Sequence, residues 1–203
     1  MWRRASRARV DDRVTLARPG RAPSDPAWNT VSAIQTVLDV IVQSSTVELF
    51  QLYNVPIAPV RRADVKNGEH RYQDLVGVVA FDAPKLSGVL TLSLDSTLMA
   101  AMPNVPSDAR PRRDWIRELV NQLVGRIKNR LINFQVTLRI GLPTAMNGRA
   151  LEVKHRSAET IAVYAFRTLK GGVMVTLEGE IEPQVLVYAG GKLPVLEGEL
   201  IEF

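Results

Sequence analysis

The sequence contains no cysteine and only two histidines among its 203 residues. Without thiols the chain can form neither disulfides nor sulfur-ligated zinc sites. The histidines, His70 and His155, have no second ligand at a spacing typical of metal sites, so we predict no metal site in this chain. The absence of cysteine suits the reducing cytoplasm, where we expect the protein to act.

Long apolar runs and common catalytic motifs are also missing. No apolar stretch approaches the roughly 20 residues of a membrane-spanning helix, and none follows the basic residues of the N-terminus. We therefore predict neither membrane insertion nor a secretory signal. The chain has no G-x-S-x-G, P-loop or dinucleotide-binding fingerprint. The segment KGGVMV (170–175) indicates a hairpin turn rather than a phosphate-binding loop.

The positive charge is concentrated at the N-terminus. Residues 1–26 hold seven Arg and three Asp, which is a net charge of +4 out of +5 for the whole chain. A segment with so few apolar side chains is typical of disorder, and it could also contact nucleic acid or acidic lipid. No interleaved aromatic residues support a nucleic-acid interface. We expect a disordered tail over 1–27, one folded domain over 28–190 and a C-terminal tail over 191–203.

Within the folded domain, a helix followed by three strands occurs twice. The pattern predicts a helix over 32–43, strands over 46–60, 75–82 and 87–95, a short helix ending at Pro103, a long helix from about 111 to 134, and strands over 135–148, 160–168 and 171–181. This order predicts an α+β fold with a pseudo-two-fold duplication. One antiparallel sheet would carry both long helices on one face.

The long predicted helix has one apolar side and one polar side. At about 100° per residue, Glu118, Asn121 and Gly125 fall together on the polar side. An exposed glycine inside a helix costs about 1 kcal/mol relative to alanine, and one reason to keep it is the close approach of another backbone. The polar side is therefore a candidate docking surface, with a plain solvated face as the alternative. Trp115 is predicted to anchor the start of the helix. The residues predicted to be buried are Ile116, Leu119, Val120, Leu123, Val124, Ile127 and Leu131.

The segment ELVNQLVGRIKNRL (118–131) resembles the signature helix of the CheC, CheX and FliY family of chemotaxis phosphatases. In that family an acid, two further residues and an asparagine are followed by a glycine four residues on. IGLPTAMNG (140–148) resembles the family's next strand and turn, and the doubled order of elements also matches. The corresponding positions of the first helix, Val31 and Ile34, carry neither acid nor amide. A single active helix is the CheX-like pattern.

The resemblance implies a phosphatase that hydrolyses the aspartyl phosphate of a CheY-type response regulator, in chemotaxis or related two-component signalling. Asn121 would orient the attacking water, and Glu118 would pair with the regulator's lysine. Gln122 would border the partner, and Gly125 would let the helix enter the partner's active cleft. The regulator would supply Mg²⁺, so we expect no cofactor of the chain's own. The alternative is a non-catalytic module that binds receivers or serves in a flagellar switch.

Two further expectations concern association. CheX-like members pair as dimers, and the β-rich run GGVMVTLEGEI (171–181) could present an edge that a second copy covers, so we predict a homodimer. Basic residues also surround the site. They could steer an acidic partner, or they could simply be solvated helix charges: Arg110, Arg112, Arg113, Arg117, Arg126, Lys128 and Arg130.

Overall fold

The computed structural model describes residues 26–66, 69–84, 86–148, 152–154, 160–181 and 186. The helices are α1 (Pro26–Leu52), α2 (Ser96–Ala101) and α3 (Ala109–Leu131), and a 3₁₀ turn (Ile132–Phe134) follows α3. The strands are β1 (Ala58–Lys66), β2 (Glu69–Arg71), β3 (Leu75–Ala83), β4 (Leu86–Leu94), β5 (Arg139–Ile140), β6 (Thr144–Asn147), β7 (Glu152–Lys154), β8 (Thr160–Thr168) and β9 (Gly171–Ile181). The predicted α+β class is confirmed. Except for residues 26 and 27 at the start of α1, the predicted tails lie outside the described residues, as does His155.

Seven strands form one antiparallel sheet in the order β1–β8–β9–β4–β3–β5, and β6 also pairs with β3. β2 and β7 form a separate two-stranded ribbon, which places His70 in a strand. The large sheet has the same strand order from either edge, if β1 is matched with β5–β6, β3 with β8 and β4 with β9. The two hairpins, β3–β4 and β8–β9, meet along the β4–β9 pair.

Both long helices pack on the sheet and contact each other, and their apolar sides join one core. Buried side chains such as Phe50 in α1, Leu123 in α3 and Leu90 in β4 belong to this core. Among the described residues, no helix is long and apolar enough to cross a membrane. The same residues include no group of three or more His, Asp or Glu arranged to hold a metal ion.

The strand predicted over 46–60 is wrong in its first half, because α1 continues to Leu52 and β1 begins only at Ala58. Thr46, Val47 and Phe50 are β-branched or aromatic residues, which favour strands. Their burial nevertheless has the period of a helix, since buried positions recur three and four residues apart. Packing against the core therefore overrides the local propensity. These buried residues are Leu38, Ile41, Val42, Ser45, Thr46, Leu49 and Phe50.

β9 is not an edge strand, so the prediction that 171–181 presents an open edge to a second copy is wrong. β9 pairs with β8 on one side and with β4 on the other. Gly88 and Gly179 face each other across the β4–β9 pair, and a Cβ at Gly179 would collide with the backbone of Ser87. Within the described part of the sheet the outer strands are β1 and β5–β6. The homodimer stays a prediction, but the backbone of β9 is not available for it.

Candidate functional site

α3 lies tightly against β3, and a glycine of that strand permits the contact. A Cβ built at Gly77 would lie 2.9 Å from the carbonyl oxygen of Ile116 and 3.0 Å from a methyl carbon of Val120. A side chain at this position would push the helix outward. The seven residues predicted to face the core are all buried. The close contact at Gly77 and the seven buried residues fix the distance of α3 from the sheet and its rotation about its own axis. They therefore determine which residues α3 exposes.

The residues predicted for the site lie together on the outer side of α3. Glu118 and Asn121 are exposed, and Gly125 is partly exposed one turn further on. Among the described residues, Asn121 has no side-chain hydrogen bond, and a Cβ built at Gly125 would meet no heavy atom of another element within 4 Å. Packing within the described part of the chain therefore gives no reason for a glycine at 125. This side of α3 offers a carboxylate and an amide beside an unobstructed stretch of helix.

Gln122 connects this surface to α1. Its Nε2 donates a hydrogen bond to Oε1 of Glu118 at 3.0 Å, and its Oε1 accepts one from the hydroxyl of Tyr53 at 3.2 Å. A carboxylate can only accept, so the Gln122 amide must direct its NH₂ group to Glu118 and its oxygen to Tyr53. The predicted contact of Gln122 with a partner stays a prediction. Within the chain, both ends of its amide are already engaged.

Tyr53 was missed from the sequence, because the predicted strand over 46–60 placed it in the wrong element. Its ring packs edge-to-face on Trp115, with the ring centroids 6.4 Å apart and the planes at 76°. Trp115 packs against the core near the start of α3, which agrees with its predicted anchoring role. The end of α1 is thus joined to the site helix by an aromatic pair and by the hydrogen bond to Gln122. The sequence feature that could have indicated a role for Tyr53 is its aromatic side chain just before the turn at Pro56.

Two of the basic residues predicted to surround the site, Arg126 and Arg130, lie toward α1 instead. Arg130 donates to Oγ of Ser44 at 2.6 Å and forms an ion pair with Glu48. Arg126 lies in the same electrostatic cluster. Burial lowers the pKa of Arg126, while the negative charge of Glu48 acts in the opposite direction. Arg130 therefore joins α3 to α1. Arg126 interacts electrostatically with the same carboxylate, so both are poorly placed to steer a partner.

The basic residues at the start of α3 are divided between local contacts and solvent. Nε of Arg112 donates to the carbonyl oxygen of Pro106 at 3.0 Å, which ties the helix to the loop before it. Arg117 forms an exposed ion pair with Asp114 at 2.5 Å. Arg110 and Arg113 are exposed. Lys128, near the other end of α3, is partly exposed. The predicted positive charge around the site is therefore reduced by the contacts of Arg112, Arg117 and Arg130, but it remains at both ends of the helix.

Two kinds of comparison, one with a family model and one with solved structures, both find proteins similar to the family predicted from the sequence. The model of a family described as "Chemotaxis phosphatase CheX" matches residues 75–167, a range that contains all of α3. A comparison with curated proteins finds no match. Among solved structures, a chemotaxis protein CheX from Desulfovibrio desulfuricans is 17% identical, with 73% of this chain and 99% of that chain covered and a TM-score of 0.60.

Two other solved structures share the fold. A CheC-like superfamily protein from Shewanella sp. PV-4 is 18% identical, with 70% of this chain and 97% of that chain covered and a TM-score of 0.61. A CheX–CheY–BeF₃–Mg²⁺ complex from Borrelia burgdorferi is 11% identical over 70% of this chain and 95% of that chain, with a TM-score of 0.52. The CheX family model thus matches the site helix and the strands around it, and these solved structures share the fold, so the chain is similar to CheX and CheC-like proteins over this region.

Proposed function

We propose that the chain is a cytoplasmic phosphatase that hydrolyses the aspartyl phosphate of a CheY-type response regulator. One observation carries the proposal: Glu118, Asn121 and Gly125 form an outward surface on α3 that the described part of the chain leaves uncovered. This helix lies inside the range that the CheX family model matches. Further support comes from the Borrelia burgdorferi CheX, which was solved in complex with CheY, BeF₃ and Mg²⁺.

Asn121 is suited to orienting the water that attacks phosphorus. Hydrolysis of an acyl phosphate proceeds by in-line attack, and the catalyst acts mainly by positioning the reactants and stabilising charge. An amide offers both an acceptor oxygen and a donor NH₂ group, and it does not titrate near neutral pH. Because the side chain of Asn121 is exposed on a rigid helix, it can reach into a partner's active site.

Glu118 and Gly125 are suited to binding the partner rather than to chemistry. Repulsion by the phosphoryl group would oppose a carboxylate beside the attacking water, so we assign Glu118 to an ion pair with the partner's active-site lysine. The open space around Gly125 lets the partner's backbone approach the helix. The Mg²⁺ ion belongs to the phosphorylated receiver, where it neutralises phosphoryl charge during transfer.

The experiment that separates catalysis from binding uses a receiver phosphorylated with acetyl phosphate. We expect the protein to accelerate loss of phosphate from the receiver and to bind the same receiver loaded with BeF₃ and Mg²⁺. Binding without acceleration would contradict the phosphatase assignment and support a non-catalytic receiver-binding module. Absence of both, across the receivers encoded by the source genome, would contradict a function directed at response regulators.

A homodimer remains part of the proposal, because it was predicted from the resemblance. Light scattering at micromolar concentration should give about twice the chain mass of 22.5 kDa. A monomer mass would contradict this part alone, since the surface on α3 belongs to one chain.

A further inference from the structure

The end of α1 carries no residue of the predicted signature, yet it reaches the site through a chain of side-chain hydrogen bonds. Tyr53 donates to Gln122 at 3.2 Å, and Gln122 donates to Glu118 at 3.0 Å. We infer that Tyr53 and Gln122 are positioning residues that hold the Glu118 carboxylate in the orientation in which it meets the receiver. This inference rests on the proposed function, because it concerns how the same surface recognises its partner.

Tyr53 is a fixed point from which such a connection can act. Tyr53 follows α1 directly, and the next residue, Asn54, adopts a left-handed conformation with φ at 56°, which turns the chain away from the helix. The backbone N–H groups of Tyr53 and Val55 both donate to the carbonyl oxygen of Phe50, at 3.1 and 3.0 Å. The aromatic contact with Trp115 holds the ring from the side of α3. The Tyr53 hydroxyl therefore has little freedom to move with Gln122. The Gln122 amide instead takes the orientation that this hydroxyl sets.

Glu118 is an exposed side chain that would otherwise sample several rotamers. An ion pair with a partner requires one of them, and the conformational freedom lost on binding weakens the association. The bond from Gln122 favours one orientation of the carboxylate before the partner arrives. It uses Oε1 of Glu118, which leaves the other carboxylate oxygen for a lysine. The hydrogen bond from Gln122 to Glu118 should therefore contribute to the affinity for the receiver and not to the hydrolysis step.

Tyr53→Phe tests the inference with a minimal change, because it removes only the hydroxyl and keeps the ring beside Trp115. We expect affinity for the BeF₃–Mg²⁺ receiver to fall about fivefold, which corresponds to one hydrogen bond. The hydrolysis rate at saturating concentration should stay within about twofold of wild type. Tyr72→Phe is the control, since it also removes one phenol hydroxyl and its hydrogen bond, here with Thr176 and away from α3. This control should bind as wild type does.

A double-mutant cycle shows whether Tyr53 and Gln122 act through Glu118. In a Glu118→Ala background, Tyr53→Phe and Gln122→Met should have no further effect on affinity, because the carboxylate they orient is gone. If Gln122 instead contacts the partner directly, the loss caused by Gln122→Met persists in that background, which overturns its positioning role.

The outcomes distinguish this inference from the proposed function. If wild-type protein neither binds the receiver nor accelerates dephosphorylation, the proposed function fails and the positioning role fails with it. If wild-type protein is active and Tyr53→Phe binds with wild-type affinity, only the positioning role is overturned. A fall in the saturating rate with unchanged affinity would also overturn it, because an effect through Glu118 should appear in binding.

Discussion

Gly125→Ala should stabilise the free protein while weakening its association with the receiver. Gly125 lies inside α3, partly exposed, and an added Cβ would meet no other element of the described structure within 4 Å. Alanine at an exposed helix interior is favoured over glycine by about 1 kcal/mol. For a domain of this size, that free energy corresponds to a rise in Tm of roughly 2–4 °C. Thermal unfolding followed by circular dichroism measures this shift.

The same substitution should cost affinity, because the space at Gly125 is the space assigned to the partner's backbone. We expect about a tenfold weaker complex with the BeF₃–Mg²⁺ receiver for alanine, or roughly 1.4 kcal/mol, and a greater loss for Gly125→Gln. Asn129→Ala is the matched control, since it also replaces a weak helix former with alanine on the exposed surface of α3. It should stabilise the helix without weakening the complex. A Gly125→Ala protein that is less stable than wild type, or that binds the receiver as wild type does, would contradict the role assigned to Gly125.

Three further predictions test other parts of the account. Glu118→Ala should lower both receiver affinity and the dephosphorylation rate at subsaturating protein; retention of both in a binding and turnover titration would contradict its assignment. Gly77→Ala should destabilise the domain by about 1–3 kcal/mol, because the new methyl group would press on the backbone of Ile116; chemical denaturation with an unchanged midpoint would argue against the tight α3–β3 contact. Burial and a hydrogen bond to Asp39 raise the pKa of Tyr164, so the neutral phenol is favoured in the folded state. The free energy of unfolding should therefore fall above about pH 10, by up to about 1.4 kcal/mol per pH unit, as the unfolded chain releases this proton; an identical pH profile for Tyr164→Phe would contradict it.

The site helix was the most predictable part of the fold. Its period and polarity predicted a helix over about 111–134, and the structure has α3 at Ala109–Leu131 followed by the 3₁₀ turn at Ile132–Phe134. The strands of the two hairpins, β3–β4 and β8–β9, were also predicted, because a turn between two β-rich runs is a local signal. The positions of Glu118, Asn121 and Gly125 on one surface follow directly from helical spacing. Their roles in hydrolysis and binding remain predictions.

The errors concern properties that depend on distant parts of the chain. Residues 46–52 resemble a strand locally, and only the packing of α1 on the core makes them helical. The order of strands within the sheet is equally non-local, so the sequence of β9 alone did not reveal that it lies between β8 and β4. The first error also concealed Tyr53, because its contact with Gln122 spans 69 residues of sequence. Helix spacing on α3 alone could not reveal that contact.

Single-turnover hydrolysis of the phosphoryl-receiver measures whether Asn121 orients the attacking water. Labelled phosphoryl-receiver is mixed with a saturating excess of wild-type protein, Asn121→Ala or Asn129→Ala, a control that lies about 12 Å further along α3. We predict that Asn121→Ala lowers the rate about 10²-fold or more, roughly 3 kcal/mol, while its affinity for the BeF₃–Mg²⁺ receiver stays close to that of wild type and Asn129→Ala retains full activity. An Asn121→Ala protein that hydrolyses the phosphoryl-receiver at the wild-type rate would contradict the account.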